Sequence, residues 1–125
     1  MNKVISTPNA PAALGPYSQA VLAGNRLYIS GQLGVDPSSG NLPDDFAAQA
    51  HQAMKNLAAI LDVAGFSFAD AVKTTILLDN LENFTVLNEI YGSYLAEQTP
   101  ARACYQVAAL PKGAKVEIEM IAEKS

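Results

Sequence analysis

Cysteine occurs once, at Cys104, histidine once, at His51, and tryptophan not at all. A lone thiol forms no intramolecular disulfide, supplies none of the paired-cysteine zinc signatures, and suits a reducing compartment. With one imidazole, any His-based triad or two-His metal site depends on His51, whose plain reading is a surface or helix-edge residue. The chain also lacks a GxxxxGK[ST] phosphate loop, a GxGxxG turn, a GxSxG elbow and an HExxH pair, so the usual signals of nucleotide transfer, hydride transfer, serine hydrolysis and zinc proteolysis are missing. Charged residues make up only 16% of the chain, yet no stretch of about 18 apolar residues runs uninterrupted, which excludes a spanning helix by hydropathy. Met1 to Pro11 carry Lys3 but no apolar run of about 7 to 15 residues, so the expected location is the cytoplasm, without a signal peptide.

What is present is ordinary for a globular chain. Half of the 125 residues are apolar, and Gly and Pro number 8 and 7. A chain of this size buries roughly two-thirds of its unfolded surface without disulfide or metal staples, so residues 1–125 are expected to form one domain whose folding needs no cofactor. Eight basic against twelve acidic residues give a net charge of -4, which repels a phosphate backbone and disfavours a nucleic-acid partner.

Periodicity predicts two helices. After Asp44 and Asp45, either able to cap, the apolar residues Phe46, Ala50, Met54, Leu57, Leu61 and Ala64 step by 4, 4, 3, 4 and 3 before Gly65. A second stripe, Phe84, Leu87, Tyr91 and Leu95, follows the possible cap Asn80 and is expected to run toward the stop at Thr99-Pro100. Strands are expected at Lys3–Ser6, Gln19–Leu22, Leu27–Ser30, Ala71–Leu78 and Cys104–Ala108, and near the C-terminus where Val116, Ile118 and Met120 alternate with charged residues. Ala23-Gly24-Asn25 is a hairpin connection. The fold class is therefore α+β, a six-stranded mixed sheet with two helices on one face. The strands are apolar on both alternations (Leu27, Tyr28, Ile29; Ile76, Leu77, Leu78), so the uncovered face calls for a second copy, a dimer on general symmetry grounds.

Candidate chemistry lies in polar residues that interrupt these strands. Arg102 and Cys104 leave the same face of an extended chain, and Glu117 and Glu119 share the face opposite Val116 and Ile118. Arg102 suits bidentate capture of a carboxylate, or alternatively an Arg–Glu ion pair between adjacent strands. Cys104 also reads as a small buried hydrophobe, and Glu117 and Glu119 as the solvent face of an edge strand. Gly15-Pro16-Tyr17-Ser18 is a rigid turn presenting an aromatic ring. Ser30-Gly31-Gln32 reads as a strand end at which Gly admits a ligand to the backbone.

Taken together, GPYSQA at 15–20, SGQ at 30–32, Asn88 ahead of Tyr91, PARAC at 100–104 and LPKGAKVEIE at 110–119 resemble the reactive intermediate deaminase family, RidA/YjgF, in order and over almost the whole chain. The resemblance implies a chorismate-mutase-like fold assembled as a homotrimer, its sheets forming a central barrel and its sites lying between subunits, in place of the dimer. It further implies cofactor-free hydrolysis of 2-imino acids and their enamine tautomers (2-aminoacrylate, 2-iminopropanoate, 2-iminobutanoate), by-products of pyridoxal-phosphate enzymes, to 2-keto acids and ammonia. By motif, Arg102 is the carboxylate-binding arginine, Glu117 rather than Glu119 the catalytic glutamate, and Tyr17, Ser30, Gly31, Asn88 and Cys104 the substrate-contacting residues, with no metal. Two other classes are an endoribonuclease, marked by RNA cleavage that Arg102→Ala abolishes, and a metabolite-binding or chaperone-like trimer, marked by ligand binding without ammonia release.

Overall fold

The structure, a computed structural model, describes all 125 residues. Six strands, β1 (Lys3–Ile5), β2 (Ala20–Ala23), β3 (Arg26–Leu33), β4 (Ala71–Leu78), β5 (Ala101–Gln106) and β6 (Val116–Glu123), and two helices, α1 (Phe46–Val63) and α2 (Phe84–Tyr94), follow in the order β1-β2-β3-α1-β4-α2-β5-β6. They form one mixed sheet ordered β1-β2-β3-β6-β4-β5, in which only β4 and β5 are parallel neighbours. The chain crosses from β3 over β6 to β4 through α1, then from β4 to β5 through α2. Both crossovers step in the same direction, and right-handed crossovers in one direction put their helices on one face. That face is the core: Leu27 and Ile29, Ile76 and Leu78, and Val116, Ile118 and Met120 pack against Met54, Leu57, Ile60 and Leu61 of α1 and Leu87 and Tyr91 of α2. No helix is long and apolar enough to cross a membrane.

Most expected elements stand, with one-residue shifts at the ends of β1 and β2 and the start of β3, and larger shifts in α2, in β5 and at the end of β3. The second helix begins at the first residue of its stripe, Phe84, rather than directly after Asn80, and ends before its last, Leu95. Asn80 caps a short 3-10 turn at Leu81–Asn83 through Glu82 N–H (2.9 Å), and α2 stops at Tyr94, where Leu95 turns extended, well before Pro100. β5 is Ala101–Gln106, not Cys104–Ala108, because its extent is set by parallel pairing with β4, from Lys73↔Ala101 to Leu78↔Gln106, where β4 ends. β3 does not end at Ser30 either. It continues to Leu33 through a bulge in which Ser30 and Gly31 together face Glu119 of β6, between the pairs Ile29↔Met120 and Gln32↔Ile118. In the hairpin, Gly24 at φ 63° takes the first position of a two-residue loop, where a glycine-requiring turn needs it.

Buried amides hold the loops that frame this end of the sheet. Gln19 accepts from Thr7 N–H (2.7 Å) and donates to the carbonyls of Thr7, Ala10 and Pro11, pinning the segment before β2. Asn56 of α1 donates to Leu33 and Val35 carbonyls at 3.0 and 2.9 Å, tying the helix to the end of β3. Each amide satisfies backbone groups that no strand reaches, at a site where an unpaired group would be costly.

Candidate active site

Strand register divides the sequence-predicted site residues into two groups on opposite faces of the sheet. Arg102 lies opposite Thr74 and Cys104 opposite Ile76, both on the helix-covered face. Glu117 lies opposite Leu77 and Leu33, on the open face. One chain therefore does not bring Arg102 and Glu117 together. Nor does Arg102 form the ion pair with a strand glutamate that was its alternative role; the one salt bridge in the chain joins Arg26 to Glu123 at 2.7 Å.

The open-face group is built on the β3 bulge. A methyl at Gly31 would sit 2.8 Å from Glu117 Oε2 and 2.9 Å from its Cδ, so the absent side chain is what lets the carboxyl lie against the β3 backbone. Glu117, Glu119, Gly31, Thr75 and Leu77 line a recess of about 120 Å³. Partial burial, and secondarily the charge of Glu119, push the Glu117 carboxyl above the usual carboxylate range. Beside it, a cleft of about 290 Å³ shares Gly31 and is lined by Tyr17, Leu14, Gln32, Leu33, Val35 and Lys112, among others. Tyr17 is exposed on its turn, which closes through Tyr17 N–H to the Gly15 carbonyl (2.8 Å). The Ser30 hydroxyl donates to the Ser18 carbonyl at 2.6 Å and Ser30 N–H to the Gln19 carbonyl at 2.9 Å, so Ser30 clamps that turn to β3 and leaves only lone pairs for a ligand.

The second group sits on the β5 edge against α2. Arg102 donates to Asn88 Oδ1 at 2.8 Å, and its guanidinium carbon lies 5.4 Å from the ring centres of both Phe84 and Tyr91. Cys104 is half-buried against the core, and burial pushes its thiol up, opposed in part by the charge of Arg102. A thiol held protonated is a poor nucleophile, as expected of a contact or packing residue. His51 is exposed and hydrogen-bonds Tyr94 Oη at 2.8 Å, apart from both groups. No group of three or more His, Cys, Asp and Glu side chains is arranged to hold a metal.

Phe84, Tyr91 and Lys112 escaped the sequence reading. Lys112 alone among non-glycine residues adopts a left-handed backbone (φ 60°, ψ 18°), in the turn before β6. Only its place in LPKG hinted at a special turn. Phe84 and Tyr91 were read as helix stripe, a role that hides a second one.

The bulge yields the first prediction. Gly31→Ala keeps the fold, because the clash falls on the far end of a flexible side chain, but it displaces the Glu117 carboxyl from the β3 backbone. Misplacing a reacting group by about 1 Å costs on the order of 100-fold. Thermal unfolding should stay within a few degrees of wild type while turnover falls by about that factor. Unchanged turnover would show that the contact of Glu117 with Gly31 does not matter.

Fold and site together define a class: a small α+β sheet protein carrying a half-buried carboxyl beneath a bulge glycine and, at the sheet edge, an arginine with uncharged partners. The chain belongs to the family described as Endoribonuclease L-PSP, whose model matches residues 7–124, and which includes the RidA/YjgF proteins. It is 57% identical over 123 residues to the 2-iminobutanoate/2-iminopropanoate deaminase of Rattus norvegicus, covering 98% of this chain and 90% of that one. The crystal structure of RidA from the Antarctic bacterium Psychrobacter sp. PAMC 21119 superimposes with a TM-score of 0.95 at 52% identity, covering 98% and 99% of the two chains. Escherichia coli TdcF with bound serine superimposes equally well, TM-score 0.95 at 42% identity, covering 98% and 99%.

Proposed function

We propose that this chain is an enamine/imine deaminase that hydrolyses reactive 2-imino acids, such as 2-aminoacrylate, 2-iminopropanoate and 2-iminobutanoate, to 2-keto acids and ammonia. The reading extends the deaminase name of relatives up to 57% identical to this chain itself. The observation that carries it in the structure is the pair of half-sites. One holds a carboxyl whose burial favours the protonated form; the other holds an arginine that no carboxylate neutralises.

The substrate carboxylate is gripped by the Arg102 fork of one protomer, which presents C2 in one orientation. Glu117 of the neighbouring protomer lies on the other side of C2. As a carboxylic acid it protonates the enamine carbon or imine nitrogen; as the resulting carboxylate it takes a proton from the water that adds to C2. That proton goes to nitrogen; as the carbinolamine C–N bond breaks, the hydroxyl gives its own proton back to the Glu117 carboxylate, so ammonia leaves with a 2-keto acid and Glu117 is again the carboxylic acid it began as. Proton transfer by a placed carboxyl contributes about 100- to 10,000-fold, ample for imines that already hydrolyse in water. The cleft beside Gly31, with Tyr17, Leu33 and Val35 in its wall, takes the small side chain.

Arg102 and Glu117 lie on opposite faces of one sheet, so a substrate touches both only at a junction between copies. We take this junction to be a heterologous contact whose rotation closes into a ring. We take the ring to be a homotrimer, each copy a single domain in the cytoplasm, with the open faces bearing Tyr28 and Ile121 packed inward. Against RNA as substrate stand the net charge of -4 and a single histidine engaged with Tyr94.

A coupled assay tests the activity. Threonine dehydratase generates 2-iminobutanoate, a scavenger of the free imine reports its lifetime, and 2-oxobutanoate appearance is followed. The chain should accelerate release in proportion to its concentration, far above buffer, whereas Arg102→Ala should match buffer. Wild-type protein no faster than buffer would refute deamination, and stoichiometric ligand binding at that rate would favour a metabolite-binding trimer.

A further inference from the structure

We propose that Phe84, Asn88 and Tyr91 of α2 form a positioning cradle that aims Arg102 while keeping its charge free for a substrate carboxylate. The inference rests on the deaminase reading and deepens it. The three residues are spaced four and three apart, so they share one face of α2. That face meets β5 where Arg102 lies opposite Thr74. Thr74 fixes the cradle from beneath, its hydroxyl hydrogen-bonding Tyr91 Oη at 2.7 Å in the buried interior.

The chemistry of the cradle is what separates it from an ordinary structural arginine. Two aromatic rings, each 5.4 Å from the guanidinium carbon, and an amide oxygen at 2.8 Å restrict a long side chain without a single negative charge. Arg26 shows the opposite treatment on the same sheet, where the Glu123 carboxylate sits 2.7 Å away and quenches it. Of the five N–H donors of Arg102, Asn88 engages one, which leaves enough for a bidentate carboxylate. Restricting the side chain in advance removes ordering cost at binding. The neutrality of the partners preserves the attraction.

The decisive variant is Asn88→Asp, which is nearly isosteric and supplies a carboxylate oxygen where the amide oxygen was. A purely structural Asn88 tolerates that change, because the bond to Arg102 becomes charge-assisted. A cradle that must stay neutral does not. We expect Asn88→Asp to keep or raise the unfolding temperature while weakening 2-oxobutanoate binding by calorimetry and raising KM by about tenfold or more, with kcat changed less. Asn88→Ala should lie between it and wild type. Phe84→Leu should raise KM severalfold, and Phe84→Tyr, which restores the ring face, should return it. The proposal is overturned if Asn88→Asp binds 2-oxobutanoate as wild type does, or if it fails to fold and Phe84→Leu and Phe84→Tyr share one KM. Arg102→Ala is the reference. If that variant still binds 2-oxobutanoate normally, the site assignment itself fails; if it loses binding while Asn88→Asp does not, only the cradle fails.

Discussion

Arg102→Ala and Glu117→Ala, each close to the buffer rate as a pure assembly, should recover activity when the two chains are assembled together. Register places Arg102 on the helix-covered face and Glu117 on the open face, so no single chain can offer both to one small substrate. In the proposed mechanism a complete site takes its arginine from one protomer and its glutamate from a neighbour. In a one-to-one mixture half of the chains retain each group, and random assembly into rings leaves about a quarter of the junctions with both intact. Two affinity tags on co-expressed chains show that mixed assemblies form, and the coupled assay on the unfractionated pool should read about a quarter of wild-type turnover. Wild-type chains co-assembled with an Arg102→Ala/Glu117→Ala double variant give the same fraction of intact junctions and serve as the calibration. Mixed assemblies of the two single variants that stay at the buffer rate would mean that both groups act from one chain, contrary to the geometry.

What could be read in the sequence and what could not divide along local and non-local physics. The α1 stripe from Phe46 to Leu61 and a cap at Asp44 or Asp45 depend on residues within a turn or two of one another and were legible; the structure chooses Asp45, which accepts from Ala48 N–H at 3.0 Å. The ends of β5 and the continuation of β3 past Ser30 depend on which strand lies alongside, and nothing local in PARAC or SGQ encodes that. The same limit applies to the site. Motif resemblance picked out Arg102 and Glu117 as residues, yet only the order β6-β4-β5 shows that they face apart. Glu117 and Glu119 are equivalent in an alternating strand. The bulge separates them, since Gly31 leaves room over Glu117 while Glu119 stays exposed. Gln19, expected as the first residue of a strand, and Asn56 of α1 are buried because their amides serve backbone groups distant in sequence, which no local pattern encodes.

Glu117→Gln should yield a protein that is inactive and, near neutral pH, more stable than wild type. The amide keeps the shape of the side chain but carries no charge to desolvate. It is also not repelled by Glu119, the ionisable group that shares its recess; Gly31 on β3 and Thr75 and Leu77 on β4 carry no charge. In the wild type the folded-state value lies above the ordinary 4.5, because burial first and Glu119 second oppose ionisation. Below the ordinary value both folded and unfolded chains hold the proton, and the folded state suffers no charge penalty. As pH rises through the interval up to the folded-state value, the unfolded chain releases its proton first and stability drains away. Above that value the full penalty is in place. The unfolding temperatures of Glu117→Gln and wild type should therefore converge near pH 4 and separate by a few degrees in favour of the variant toward pH 7 and above, at constant ionic strength. Turnover should fall by about 100- to 10,000-fold at every pH, because an amide can neither give nor take the proton. Identical unfolding curves across the whole range would remove the raised carboxyl from the mechanism, and a variant that still turns over imine at the wild-type rate would remove Glu117 from it.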